Sequence, residues 1–155
     1  MKYSDNSGER LASGSKPLAN GFRVLLIDDD PVFAFSVKAL FKLMAPEVEV
    51  YFANNGLDGV DAIRQFREDE TPIHLTLLDL NMPVMDGWEF LEKVESLEWK
   101  KELPIVIVLT SSIDKKEHDR ALNHERVYDL YEKPLDKAKM ASILHLLKQE
   151  VALKQ

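Results

Sequence analysis

An α/β fold is what the sequence predicts: a doubly wound, five-stranded parallel sheet carrying five helices. Three observations predict it. Short apolar runs of strand length alternate with segments whose apolar residues recur at helical spacing. Two of those runs, IHLTLLDL (73–80) and PIVIVLT (104–110), are apolar almost throughout, as strands covered on both faces are. The length, 155 residues, suits one domain with a sizeable core. Right-handed crossovers then place helices on both faces of the sheet.

Residues 1–21 are rich in Ser, Gly, Asn and charge and read as a flexible leader, or a tail that docks late, which leaves 22–155 for the domain. FRVLLI is the first strand, and Asp28-Asp29-Asp30-Pro31 stops it. Phe33, Val37, Leu40, Phe41 and Met44 follow at helical spacing, closed by Pro46. VEVYFA (48–53) is the second strand, ended by Asn54-Asn55-Gly56. Val60, Ile63 and Phe66 mark the second helix. IHLTLLDL is the third strand, and NMPVMDG is a loop punctuated by Pro and Gly. Trp88 to Leu97 is a short helix. PIVIVLT is the fourth strand. Asp114 caps the next helix, with Glu117 completing a capping-box-like pair. That helix, KKEHDR, has almost no apolar face and is expected to be weakly anchored. VYDLY (127–131) is the fifth strand. Met140, Ile143, Leu144, Leu147 and Val151 mark an amphipathic last helix.

In such sheets ligands sit at the carboxyl ends of the strands. The first strand ends in Asp28-Asp29-Asp30, the third at Asp79, the fourth at Thr110-Ser111-Ser112 and the fifth at Lys133-Pro134. A parallel sheet points all four groups at one rim. Carboxylates so close raise one another's pKa, and a hard divalent cation resolves the conflict. A cation, a Lys, a hydroxyl and a free carboxylate suit phosphoryl transfer, with a carboxylate as nucleophile. Taken singly, each of these residues is more simply a turn, a cap or a surface group. Their joint placement carries the argument.

The motifs VLLIDDD, LLDLNMPVMDG, PIVIVLTSS and YEKPL, in that order, resemble the response-regulator receiver domain of two-component signalling, from Phe22 to about Val151. The resemblance implies a flavodoxin-like sheet of strand order 2-1-3-4-5. It implies that Asp79 is the phosphoacceptor, and that Mg²⁺ is held by Asp29, Asp28, Asp79 and the backbone carbonyl of Asn81. It further implies that Lys133 pairs with phosphoryl oxygens and that Thr110 hydrogen-bonds the phosphoryl group. Asn81 and Ser111 join the phosphoryl-binding set. The Lys133-Pro134 bond is expected to be cis and Asp30 a helix cap. Ser112, short, leaves the phosphate open to water, so its lifetime is not expected to be unusually long. The implied partners are a sensor histidine kinase or phosphotransfer protein, and a downstream protein met through helix 4, strand 5 and helix 5. A homodimer is left open.

One departure matters. The family often has an aromatic residue three before the Lys, and here Leu130 holds that place. Tyr131 should point to the opposite face. The output surface is therefore expected to respond through the fourth helix and its loop.

No output domain fits after Pro134, since the last helix uses those residues, so the chain reads as a single-domain response regulator acting by contact or phosphorelay. It is not read as an enzyme beyond its own phosphorylation and dephosphorylation. The competing enzyme reading is a haloacid-dehalogenase-like phosphatase, because LLIDDDPV also satisfies its DxDxV pattern. Asp28 would then be nucleophile, Asp30 general acid, Thr110 or Ser111 phosphate binder and Lys133 charge stabiliser. That family needs a further acidic strand end after the Lys, and only Asp136 follows. It also leaves LLDLNMPVMDG unexplained. A degenerate docking receiver would lack one of the acid pair, the acceptor or the Lys, and none is missing.

Composition narrows the classes further. Without cysteine there is no disulfide framework, Cys-based zinc site or Cys nucleophile. A net charge of −7 argues against a nucleic-acid binder built on phosphate contacts. No apolar run approaches the ~18 residues of a membrane span, and the N-terminus lacks a signal-peptide core. A cytoplasmic protein with neither DNA nor membrane as partner is expected. His74, His118, His124 and His145 lack the H-x-x-x-H spacing of a helical metal site and read as structural or solvated. Trp88 and Trp99 read as packing residues.

Overall fold

The computed structural model describes residues 21–97 and 103–154, with side chains described through residue 150. The leader expected over 1–21 lies, but for Gly21, outside the described residues, as does Trp99. The elements alternate as β1 (Arg23–Ile27), α1 (Pro31–Met44), β2 (Glu49–Ala53), α2 (Gly56–Glu68), β3 (Leu75–Leu78), α3 (Gly87–Glu95), β4 (Ile105–Thr110), α4 (Lys115–Leu122), β5 (Val127–Glu132) and α5 (Lys137–Lys154). The five strands form one parallel sheet in the order β2-β1-β3-β4-β5.

Strand alternation divides the core. Leu25, Ile27, Tyr51, Leu78, Val106 and Val108 face α2 and α3, and meet Val60, Ile63, Phe66, Phe90 and Val94 there. Val24, Leu26, Val50, Leu77, Ile107 and Leu109 face the other way, against Phe33, Val37 and Phe41 of α1 and Ile143 and Leu147 of α5. This is why β1, β3 and β4 read as continuous apolar runs: both of their faces are dry.

β3 is shorter than the apolar run that predicts it. His74 precedes it rather than lying in it, although its N–H donates to the Arg23 carbonyl at 2.9 Å. Asp79 lies just past its end, yet its N–H still donates to the Ile27 carbonyl at 2.9 Å. The ladder thus extends one residue beyond the strand each way, and apolarity cannot mark that limit.

Helix starts hold a second correction. Asp114 does cap α4, accepting from the Lys116 N–H at 2.9 Å. Glu117 does not complete a capping box; its Oε1 is buried without a hydrogen-bond partner. The capping box sits instead at α3. There Asp86 accepts from the Glu89 N–H at 2.9 Å, and the Glu89 carboxylate accepts from the Asp86 N–H at 3.3 Å. α4 buries only Ala121, as its charged sequence foretold.

Candidate phosphoryl-transfer site

The turn after β1 is built to present carboxylates. Asp30 caps α1, accepting from the N–H groups of Val32 and Phe33 at 2.9 and 3.3 Å, and Pro31 begins the helix. Asp28, its side chain fully buried, is fixed at both oxygens. Its Oδ1 accepts from the Asp30 N–H at 2.9 Å and its Oδ2 from Lys133 Nζ at 2.6 Å. Asp29, between them, is exposed.

Asp79 enters from β3 and is 5% exposed. Its depth is set from behind by Gly87, the first residue of α3. A Cβ there would lie 2.6 Å from the Asp79 carbonyl oxygen and 2.7 Å from Leu80 Cα. Only a residue without a side chain lets α3 approach so closely. The loop between them also holds Val84 at φ 72°, a left-handed conformation that costs a β-branched residue energy.

Asp28, Asp29 and Asp79 each offer a carboxylate oxygen within 4.8 Å of the others. Lys133, paired with Asp28, brings its ammonium to 3.7 Å from Asp79 Oδ2, with its Nζ over the Phe33 ring at 4.3 Å. The Asp79 pKa is raised from 3.8 to about 6, chiefly by burial and next by the neighbouring Asp28. Lys133 and the Asn81 N–H, 3.4 Å from Oδ1, pull it partly back, and Asp29 opposes them. The cluster therefore carries more negative charge than its one ammonium offsets.

Thr110 ends β4 fully buried, and its Oγ1 accepts from the Ser112 N–H at 3.0 Å. Its carbonyl accepts from the Lys133 N–H at 2.8 Å, which ties the two strand ends together. The Lys133-Pro134 bond is cis, as expected. Asn81 and Ser111 are exposed on the loops after β3 and β4. Leu130 packs with the α2–α3 side of the core and Tyr131 with the α1–α5 side, so the alternation at the usual aromatic position holds.

Sequence reading found the charged groups and missed the parts that set their depth. Gly87 was visible as the Gly of MDG, but only as loop punctuation. The D-x-x-E signal at Asp86 and Glu89 was equally available.

A family model for the response regulator receiver domain matches residues 24–145. The chain belongs to that family. Over 133 residues this receiver is 32% identical to the chemotaxis protein CheY of Treponema pallidum, covering 85% of this chain and 86% of that one. Over 154 residues it is 29% identical to the cyclic di-GMP phosphodiesterase response regulator RpfG of Xanthomonas campestris. That match covers 97% of this chain but only 39% of RpfG. In fold it is similar to a two component response regulator from Cytophaga hutchinsonii, with a TM-score of 0.74 at 23% identity, covering 82% of this chain and 96% of that one. A receiver domain of this family is a signalling phosphoacceptor, and its Asp cluster could hold a metal ion. No helix among the described residues is long and apolar enough to cross a membrane.

Proposed function

We propose that Asp79 accepts a phosphoryl group from a phosphohistidine on a sensor kinase or phosphotransfer protein, and that the phosphorylated receiver signals by changed protein contacts or by relay. The observation that carries this is the placement of the buried Asp79 carboxylate beside two further acids and the Lys133 ammonium. In the transfer an Asp79 oxygen attacks phosphorus. The O–P bond forms, the N–P bond breaks, and the released imidazole takes up a proton from water. Lys133 offsets charge on the phosphoryl oxygens. Thr110, tied to Lys133 through the backbone, offers its hydroxyl to the same group, with Asn81 and Ser111 at its edge.

The donor set is one of hard oxygens with excess negative charge, which fits Mg²⁺. Asp28, Asp29, Asp79 and the Asn81 carbonyl would hold it. Bound there, Mg²⁺ supplies positive charge against the phosphoryl oxygens.

The phosphatase reading fits less well. Asp30, the general acid it needs, spends its carboxylate capping α1, and that reading gives no role to Asp79, buried beside Asp28 and Lys133.

Three exposed apolar residues ring the mouth: Val32 in the first turn of α1 (76%), Val84 after β3 (75%) and Ile113 after β4 (88%). Such a rim supports a protein donor, which would cover it on docking. Tyr128 and Leu122 are exposed on β5 and α4 and support a downstream contact there. The acidic, cysteine-free composition supports action in the cytoplasm on proteins rather than on DNA.

Incubation with acetyl phosphate and Mg²⁺, followed by intact-mass measurement, tests the reading. One phosphoryl group should be gained, lost in Asp79→Ala and largely kept in Asp30→Asn. The reverse dependence, with turnover of phosphate esters, would establish the phosphatase instead.

A further inference from the structure

α4 has almost nothing apolar to hold it, so what holds it is informative. Its central residue, His118, is 16% exposed at the side chain. Its Nε2 lies 2.6 Å from the Ser112 carbonyl oxygen. A carbonyl only accepts, so Nε2 carries the proton and donates. Nδ1 lies 3.9 Å from Oε1 of Glu132, the last residue of β5. The imidazole therefore spans two chain segments, each of which carries a group of the proposed site. Ser112 is bonded through its own N–H to Thr110 Oγ1 at 3.0 Å. Glu132 is the residue before Lys133.

The Asp114 N–H also donates to Ser112 Oγ at 3.1 Å, but within the loop that leads into the helix, while two other side-chain ties lead away from the site. Arg120 stacks over the Trp88 ring at 3.8 Å, and His124 Nε2 lies 3.7 Å from Glu95 Oε1; both lead to α3. His118 is thus the α4 side chain that reaches both the loop after Thr110 and the strand end before Lys133.

We propose that His118 is the positioning residue that couples α4 to the phosphoryl site, so that a shift of Thr110 or its loop is passed to α4 through the Ser112–His118 hydrogen bond. This rests on the phosphoacceptor reading above and names the route by which that site reaches an outer helix. It gives this receiver a coupling element where Leu130 leaves no ring to swing. When Thr110 moves its hydroxyl toward a phosphoryl group, the Ser112 N–H that donates to that oxygen is drawn along with it. The Ser112 carbonyl then moves, and His118 carries α4 with it.

Amide hydrogen exchange over residues 115–122 of the full chain tests this, at rest and with beryllofluoride plus Mg²⁺ as the phosphoryl mimic. In the wild type the mimic should change exchange there by about threefold or more. His118→Ala should raise resting exchange by about tenfold, the equivalent of one lost hydrogen bond. Its α4 should then show no further response to the mimic. His118→Gln, whose amide can also donate to the Ser112 carbonyl, should restore both behaviours, whereas His118→Leu, of similar size but with no donor, should not. Phosphoryl uptake from acetyl phosphate should be alike in all of these proteins.

Wild-type resting exchange in His118→Ala, or an undiminished response of its α4, would overturn the proposal. The resting measurement needs no phosphoryl group. If the wild type gained no mass from acetyl phosphate, the phosphoacceptor reading would fail while the resting arm still decided whether His118 holds α4.

Discussion

At the amino end of the sheet one cation, Arg23, is buried to 5% exposure. Its Nε donates to the Pro72 carbonyl at 2.9 Å, and its N–H donates to His74 Nδ1 at 2.9 Å. Burial pulls its guanidinium below the ordinary range, and the charge of Glu49, with the Tyr51 oxygen after it, pulls it back. The Tyr51 hydroxyl donates in turn to Glu49. At the carboxyl end three carboxylates face one ammonium, and burial and neighbouring charge push Asp79 up to about 6. One end of the sheet balances its charge locally. The other leaves an imbalance that an incoming cation or phosphoryl group can alter. The contrast separates polar groups that serve the fold from those available for chemistry.

The comparison can be broken first at its balanced end. Glu49→Ala leaves the buried guanidinium without its counter-charge. It should lower the unfolding free energy by about 2–3 kcal/mol in chemical denaturation, discounted for the half-exposed Glu49. A loss under about 0.5 kcal/mol would mean that this end is not held by charge balance.

The unbalanced end should respond in the opposite sense. Asp79 is raised from 3.8 to about 6, so its ionisation costs the fold stability. The cost is full above about pH 6, fades between about 6 and 4, and is absent below both values. Asp79→Asn should therefore stabilise the metal-free protein by about 1–3 kcal/mol at pH 7 and by almost nothing at pH 3.5. A gain that persisted at pH 3.5 would show that the carboxylate's charge is not its source.

The smallest effect sharpens the same contrast. Mg²⁺ at about five times its dissociation constant should stabilise the wild type by about 1 kcal/mol. The effect should shrink strongly in Asp29→Asn, where an exposed ligand is lost without disturbing the core. Equal stabilisation in both proteins would place the ion elsewhere.

Much of the fold was legible because β1, β3 and β4 are buried on both faces and advertise it as unbroken apolar runs. Asp28, Asp29, Asp79 and Thr110 were legible because they end or follow such runs, and Lys133 because YEKPL closes the less buried β5. What was not legible depends on contacts between distant segments. Gly87 matters only because α3 returns to within touching distance of the Asp79 backbone. His118 sits six residues from Ser112, a separation no periodicity flags. Arg23 looks in sequence like a polar interruption of FRVLLI, and only the fold brings Glu49 and His74 beside it. The D-x-x-E pattern occurs at both Asp86 and Asp114, and sequence alone does not say that only the first closes.

The bare α-carbon of Gly87 has an engineering consequence. Neutralising Asp79, the proposed acceptor, also changes the local field. Crowding the backbone from behind with a single methyl group would instead displace the acceptor while every formal charge stays in place. It would separate the steric from the electrostatic requirements of capture in one molecule.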